Sequence, residues 1–515
     1  MRKGERASPF RSNAEILFPE VDGVRKGFIS PVLVFTVFLF FSLMILYGGR
    51  GPEGRHPSFA IPEPDRDTPF FYFEGKRGGA WIPAVQHAAI RAGGAVNFPV
   101  EVLSAVSSLF ELTGETASLL VLEGNRIHLH AAAKFPAEMT RKLAEGKLPE
   151  EFAGKLLDIR LGELAPGDFA LIHERGAPPL HLSVDGGITM LASSREAMEK
   201  MSATLERQEE PSIASWRLEG RWPNHVLFSD GGILSDVAAM AGLPVARGNL
   251  RVTAAWREDP EGGRMKWKAE GLEDIVPLSV LEKLQGVEWD GRMEVPTPLV
   301  AALGVNLPKG MPGLLDGRFG EGLIRYGARD GLFGSMLPGP VLASLCGSSK
   351  FLVFSLPGLL LQFPERGQKG EAFVESFWKA EWSSLVPGVE KLDTFPVGGT
   401  TAIPFSILAA ANFRMVYLGL MDRDALRYER FRPIREYSSV LHDMGRVFLW
   451  AYLDIPKIAE ALHNLAKTGR IAETMGKNVG VSPKRLLQAA GALEKFGIVV
   501  LVMPGPGEGF LEWRK

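Results

Sequence analysis

Apolar and polar positions divide the chain into one long apolar run near its start and many short apolar blocks after it. The run covers residues 28–47 and carries no charged residue. Its length is that of a helix crossing the hydrocarbon core of a bilayer, about 20 residues. Basic residues are frequent before the run, whereas only Arg50 and Arg55 follow it closely. The positive-inside rule therefore predicts an uncleaved transmembrane anchor, with a cytoplasmic N-terminus and an extracytoplasmic main domain.

The remainder of the chain predicts a spacer followed by a folded region of two related halves. Residues 48–68 are rich in proline, glycine and charge, which is typical of a linker. A chain of 515 residues exceeds what one hydrophobic core usually supports. The predicted parts are a cytoplasmic tail (1–27), a transmembrane helix (28–47), a linker (48–68), half one (69–274), a connection (275–292) and half two (293–515).

Four short segments recur in the same order, which indicates an internal duplication. Each contains an apolar strand that is followed by a turn or by a helix-capping residue. In the last pair, Trp267 and Trp513 occupy equivalent places on the returning strand. Loop insertions explain why the spacing between copies varies. The paired segments begin at Ser118 and Lys350, at Ile188 and Met415, at His225 and Phe448, and at Asn249 and Ile498.

The mixture of hairpins and strand-to-helix connections predicts the fold class. Ser194 and Asp230 follow strands in half one at positions that suit helix N-caps, and Asp422 and Asp454 do so in half two. The last segment of each half ends in a hairpin. We therefore predict an α+β fold, with an antiparallel sheet and packed helices in each half.

Composition excludes several function classes. The net charge is −2, so no global field attracts nucleic acid. Cys346 is the one cysteine of the chain, which excludes an internal disulfide and a CxxC metal site. Its most economical interpretation is a small buried apolar residue, and the alternative is a catalytic thiol.

One pair of motifs resembles penicillin-binding proteins and serine β-lactamases. Ser376 and Lys379 form S-x-x-K, and Lys467-Thr-Gly469 forms K-T-G downstream. The resemblance implies a serine activated by a lysine one helical turn away. The S-x-N element between the motifs is absent, and K-T-G ends an apparent helix rather than lying on a strand. A serine acyl-transferring enzyme is therefore an alternative function, beside a solvated helical lysine and a helix stop.

Two further patterns suggest binding chemistry. His128 and His130 alternate on a predicted strand and share one face, where zinc would need further ligands such as His173 or His181. The alternative is a polar strand face. The segment around Lys484 and Arg485 resembles a winged helix-turn-helix whose basic residues suit phosphate contact. The resemblance implies a membrane-tethered DNA-binding protein as an alternative function, but the predicted topology places the segment outside the cytoplasm. The other interpretation is an ordinary helix packed beneath a sheet.

Low-charge blocks indicate a third kind of site. Residues 357–363 read PGLLLQF and residues 404–413 read PFSILAAANF. Such strands suit a groove between the two halves for a lipid or an acyl chain. They also suit strands that are buried on both faces.

The phrases Met190-Leu-Ala-Ser-Ser-Arg-Glu-Ala197 and Tyr452-Leu-Asp454 resemble uncharacterised bacterial envelope proteins with one N-terminal span and a tandem ectodomain. That resemblance implies no known activity. We expect a non-enzymatic binding or scaffolding protein of the bacterial cytoplasmic (inner) membrane, without cofactor, metal, catalytic residue or nucleic acid. The expected partners are the bilayer, through residues 28–47, and a lipid, glycan or envelope protein.

Overall fold

The computed structural model describes residues 56–75, 113–307 and 339–515, apart from short internal gaps. Among the helices in these ranges, none is both long and apolar enough to cross a bilayer. The transmembrane helix of the predicted fold class therefore finds no support in the described part, and residues 28–47 lie outside it. The gaps fall at residues 66, 124–125, 154–158, 167, 174–177, 208–214, 241–247, 277–280, 283–285, 289–292, 352–353, 380–389, 393–394, 403–405, 427–429, 438–445, 475–482 and 494–496.

Within the described residues, ten strands form the N-terminal half of the main sheet. They are mostly short apolar runs bounded by turns, such as the β6–β7 turn, where Gly186 and Gly187 both have positive φ. The strands are β1 (Phe70–Gly75), β2 (Glu115–Glu123), β3 (Arg126–Lys134), β4 (Ile159–Ala165), β5 (Asp168–His173), β6 (Leu180–Asp185), β7 (Ile188–Ala192), β8 (Asn224–Ser229), β9 (Arg251–Asp259) and β10 (Gly262–Glu270).

The described part of the C-terminal half contributes another ten strands to the same sheet and four to two small ribbons. The ribbons pair β11 with β21 and β12 with β20. The strands are β11 (Val287–Glu288), β12 (Glu294–Pro296), β13 (Leu299–Leu307), β14 (Gly339–Phe351), β15 (Phe354–Pro364), β16 (Glu390–Lys391), β17 (Val397–Ala402), β18 (Ser406–Ala411), β19 (Met415–Leu420), β20 (Phe431–Pro433), β21 (Arg446–Val447), β22 (Leu449–Asp454), β23 (Ile498–Gly505) and β24 (Glu508–Arg514).

The described helices lie against the sheet or follow its strands, and all but one of them have 13 residues or fewer. Side-chain caps begin three of them: Ser194 Oγ accepts from Ala197 N at 3.1 Å, and Asp230 and Asp454 cap in the same way. The α-helices are α1 (Ala137–Ala144), α2 (Glu150–Ala153), α3 (Arg195–Arg207), α4 (Ile233–Met240), α5 (Lys369–Lys379), α6 (Ile455–Thr474) and α7 (Pro483–Leu493). The 3₁₀ helices are Pro57–Ala60, Leu272–Asp274, Arg423–Leu426 and Ile434–Tyr437.

Strand order is the same in the two halves. In the N-terminal half the neighbours run β4-β5-β6-β7-β3-β2-β1-β8-β9-β10. In the C-terminal half they run β16-β17-β18-β19-β15-β14-β13-β22-β23-β24. The second order repeats the first strand for strand. Three pairs of the recurring sequence segments fall on corresponding strands, and in the first pair the returning strands β3 and β15 correspond.

The two halves meet at an antiparallel pair of edge strands, β10 and β24. Met265 faces Leu511 at the middle of this pair, and the register is symmetrical about it. Gly263 faces Trp513 on one side, and Trp267 faces Gly509 on the other. Both indole rings are buried, and each lies over the glycine of the opposite strand. The halves are therefore joined by backbone pairing and by two reciprocal tryptophan–glycine contacts.

The predicted α+β fold class, with a separate sheet under packed helices in each half, is wrong. The described chain is mostly strand, and its main sheet is one continuous antiparallel sheet of 20 strands. The physical reason lies at the inner edges of the two halves. Strands β10 and β24 would each present a row of unpaired N–H and C=O groups, and pairing with one another satisfies both rows.

Hydrophobic clusters occupy both faces of the sheet. In the N-terminal half, one face carries a cluster that includes Phe71, Phe73 and side chains of α1 and α2, and α3 covers the other face. In the C-terminal half, Trp450 and Tyr452 are buried beneath the segments that contain β12 and β20. The opposite face of this half is covered by α5 over β17 to β19.

Candidate functional site

Five leucines on one face of the C-terminal half are large apolar side chains that remain exposed. Each has 36 to 48% of its surface in contact with solvent. Leucine side chains of a folded protein are usually buried, and a contiguous exposed apolar patch commonly marks a binding surface. We call this surface the leucine face. Its leucines are Leu303 on β13, Leu345 on β14, Leu359 on β15, Leu420 on β19 and Leu453 on β22.

Strand register aligns these residues in two straight rows that cross the sheet. Directly opposed residues of antiparallel strands have neighbouring side chains on the same face. Every member of both rows is apolar. The first row, here the leucine row, is Ile407, Leu420, Leu359, Leu345, Ala301 and Leu453. The second row is Ala409, Leu418, Leu361, Ala343, Leu303 and Ala451.

The local sequence explains why the face is apolar. Successive side chains of a strand point to opposite faces, so a strand that is apolar on both faces lacks the usual alternation with polar residues. On β15, Leu360 is buried on the inner face while Leu359 is exposed on the outer one. On β22, Tyr452 is buried and Leu453 is exposed. These strands have the composition of a doubly buried sheet, yet one face is partly open.

The same face of the sheet is covered to different extents in the two halves. In the N-terminal half, Phe71 and Phe73 are buried in a cluster that includes Leu143 of α1 and Phe152 of α2. In the C-terminal half, α5 covers the end of the face near Phe363, including Ala409, Leu361 and Leu418 of the second row. The leucine row continues beyond that covered end.

The dimensions of the leucine face follow from strand geometry. Neighbouring strands lie about 4.8 Å apart, so the four intervals from Leu420 to Leu453 span roughly 19 Å. The two rows are separated by two residues along a strand, or about 7 Å. The face is thus a long narrow apolar track that runs across the strands.

A second cluster, of polar groups, lies at the end of β1. Glu74 is buried, and its carboxylate accepts from Tyr72 Oη at 2.6 Å and from Arg217 Nη2 at 2.9 Å. Arg217 Nη2 also donates to Ser58 Oγ at 3.4 Å, and His56 Nδ1 lies 2.8 Å from that oxygen. The cluster therefore ties the 3₁₀ helix Pro57–Ala60 to the central strand of the N-terminal half.

Charge compensation explains the electrostatics of this polar cluster. Burial by itself would raise the pKa of Glu74, but hydrogen bonds from Arg217 and its positive charge lower that pKa overall. Burial lowers the pKa of His56, although the negative charge of Glu74 opposes this effect. The carboxylate is buried and its hydrogen bonds are made by neighbouring side chains, so the arrangement is typical of a structural contact.

The residues of the S-x-x-K and K-T-G motifs lie on helices. Ser376 and Lys379 are exposed on α5, where Lys379 Nζ pairs with Glu375 at 3.3 Å. Lys467-Thr-Gly469 lies within α6, which continues to Thr474, so Gly469 does not end the helix. In the enzymes that these motifs resemble, K-T-G lies on a strand beside the nucleophile, whereas in this protein it lies on a helix.

The predicted histidines share a face but do not gather into a metal site. His128 and His130 alternate on β3, as predicted, and His181 lies two strands away, with Ala192 of β7 between it and His130. Burial lowers the pKa of His130 to about 4. His181 Nδ1 lies 3.3 Å from Asp168. Within the described ranges, no group of three potential ligands could hold a metal ion, and the side chain of His173 is outside them.

The hairpin of the winged-helix interpretation is an interior part of the main sheet. Lys484 is exposed on α7, and the side chain of Arg485 is outside the described residues. Strand β23 pairs with β22, and β24 pairs with β10, so neither strand projects as a wing. Cys346 is buried beside Ser344, and burial raises the pKa of its thiol to about 12.

The low-charge blocks lie partly on the leucine face. Residues 357–363 supply Leu359 and Leu361, and residues 404–413 supply Ile407. These side chains lie within the C-terminal half rather than between the two halves. Sequence reasoning noticed the blocks but missed Leu303 and Leu453, because alternation within one strand does not show which strand becomes its neighbour.

Comparison with known proteins assigns no family. No family model matches the chain, and no curated protein matches it. Crystal form I of TP0453 aligns with a TM-score of 0.25 and 9% identity, over 42% of this chain and 79% of that one. Crystal form IV of TP0453 aligns with a TM-score of 0.25 and 10% identity, over 45% and 86%. A likeness at this level carries no argument about fold or function.

Proposed function

We propose that this chain is a non-enzymatic binding protein that takes an apolar ligand on the leucine face. The observation that carries the proposal is the leucine row, in which directly opposed apolar side chains on six neighbouring strands stay partly exposed. An open apolar face of this kind is unfavourable in water, and a ligand that covers it recovers hydrophobic free energy.

The exposed leucine surface sets the scale of the interaction. Burying a whole leucine side chain contributes about 2 kcal/mol. The five leucines expose 36 to 48% each, so covering them contributes on the order of 4 kcal/mol in total. That amount corresponds to roughly a thousandfold in affinity. The leucine face is therefore able to dominate the binding of a small apolar molecule.

The first test measures binding of a neutral apolar dye, Nile red, to the full-length protein. We compare the wild type with the double variant Leu345→Gln/Leu359→Gln, which places two amides in the middle of the leucine row. We expect the dye to bind the double variant at least tenfold more weakly, because about 2 kcal/mol of apolar contact is lost.

The matched control is Leu164→Gln on β4. Leu164 is similarly exposed, at 45%, but lies in the other half of the molecule. We expect this control to bind the dye like the wild type. Equal binding by the double variant and the wild type would refute the leucine face as the site. Location in the bacterial cytoplasmic membrane and a glycan or envelope-protein partner stay predictions from the sequence.

A further inference from the structure

We infer that the ligand of the leucine face is a single acyl chain, lying across the strands along the leucine row. This inference rests on the proposed function and names the chemical class of its ligand, a single-chain amphiphile. Three properties of the face carry it: its length, its small area and its freedom from charge.

The length of the leucine row matches one acyl chain. From Leu420 to Leu453 the row spans roughly 19 Å, at about 4.8 Å per strand. The hydrocarbon core of a bilayer is about 30 Å thick and holds two layers of lipid, so one acyl chain covers about 15 Å. One acyl chain therefore covers most of the row, whereas the roughly 30 Å of two opposed chains would exceed it.

The area of the face is too small for a stable protein partner. By the same transfer estimate as above, a whole leucine side chain carries roughly 80 Å² of apolar surface. At the observed exposures, the five leucines then offer on the order of 170 Å². A standard protein interface buries about 800 Å² on each partner. A second copy of this chain would need most of its contact elsewhere.

The chemistry of the two rows fits hydrocarbon rather than a polar ligand. Their twelve positions are all leucine, isoleucine or alanine. Glycans and peptides need hydrogen-bonding side chains for recognition, and none lies in either row. Small residues alternate with larger ones, as where Ala301 lies between Leu345 and Leu453. The small side chains leave shallow depressions in the surface, in which a flexible chain can lie.

The test is a chain-length series of fatty acids, from caprate to stearate, below their aggregation concentrations. Dissociation constants come from displacement of Nile red from the full-length protein. A fully buried methylene contributes about fourfold in affinity, and an open face buries about half of it, so we expect about twofold per methylene. The increase should level off once the chain is as long as the leucine row.

A variant at the end of the row tests the orientation of the chain. Leu453→Gln shortens the apolar track from one end. We expect stearate to bind this variant several-fold more weakly, while the affinity of caprate changes little, and Leu164→Gln should leave both affinities unchanged.

Other outcomes separate the two proposals. Affinity that does not depend on chain length, or two-chain phospholipid vesicles binding more tightly than any fatty acid, would overturn the single-chain inference. Dye binding that depends on Leu345 and Leu359 without any fatty-acid binding would leave the proposed function intact and reject the inference. If every leucine variant binds the dye and the fatty acids as the wild type does, both the proposed function and the single-chain inference are rejected.

Discussion

The junction between β10 and β24 gives the sharpest prediction about how the two halves are held together. At Gly509, an added Cβ would lie 2.4 Å from Nε1 of Trp267. At Gly263, it would lie 2.1 Å from the ring of Trp513 and 2.7 Å from the carbonyl oxygen of Arg257. Both indoles are buried, at 5 and 6% exposure, so neither ring can swing into solvent without leaving the core.

The expected cost of Gly509→Ala follows from these contacts. Overpacking of a well-packed core costs about 1–3 kcal/mol. Alanine also restricts the unfolded chain, which returns about 0.4–1 kcal/mol. We therefore expect a net destabilisation of about 1–2 kcal/mol. Gly263→Ala should cost more, because the oxygen of Arg257 belongs to the backbone and moves less easily than a side chain.

Gly505→Ala is the matched control, since Gly505 lies on the same hairpin and an added Cβ there meets nothing within 4 Å. We expect this control to be neutral or slightly stabilising. The assay is urea unfolding followed by tryptophan fluorescence and far-ultraviolet circular dichroism. Unfolding midpoints of Gly509→Ala and Gly505→Ala that shift equally would show that the tryptophan–glycine contacts do not hold the junction.

Three further predictions concern buried ionisable groups. Arg217→Ala should destabilise the fold by about 3 kcal/mol, because it leaves the charge of Glu74 buried without its partner; Glu74→Gln in the same chain should recover part of this loss in urea unfolding. The pKa of His130 is lowered from 6.5 to about 4 because the side chain is buried. The free energy of unfolding should therefore be highest above pH 6.5, where the imidazole is neutral in both states, and should fall by about 3 kcal/mol as the pH drops to 4. A titration of unfolding midpoints should lose this pH-dependent part in His130→Gln and keep it in His128→Gln. Because the pKa of Cys346 is raised to about 12, the native protein should not react with a thiol reagent at pH 8, whereas the urea-unfolded chain should react with one equivalent; rapid reaction of the native protein would contradict the described burial.

Parts of the fold that depend on nearby residues were predictable. The caps at Ser194, Asp230 and Asp454 were recognised because a cap and its N–H partner lie within four residues of each other. The shared face of His128 and His130 followed from the period of a strand. The predicted fold class was wrong because helices with clear caps suggested a helical layer packed on each sheet, whereas the described chain is mostly strand.

The candidate site shows the same division. The low charge of residues 357–363 and 404–413 predicted either a binding groove or doubly buried strands, and both blocks contribute to the leucine face. Whether such a block is buried on both faces or open on one cannot be decided within the block, because coverage depends on what packs above it. Here α5 covers the end near Phe363 and leaves the leucine row partly exposed.

The sequence by itself determined where strands, turns and caps fall, because these depend on residues a few positions apart. It also determined the recurrence of four segments in order. The tertiary structure decided the rest, since strand register brings together residues that are far apart in the chain: Leu303 lies beside Ala451, and Gly263 lies beside Trp513. Only the pairing of β10 with β24 makes one sheet of two sets of strands, and only the alignment of six strands turns separate leucines into a continuous apolar track.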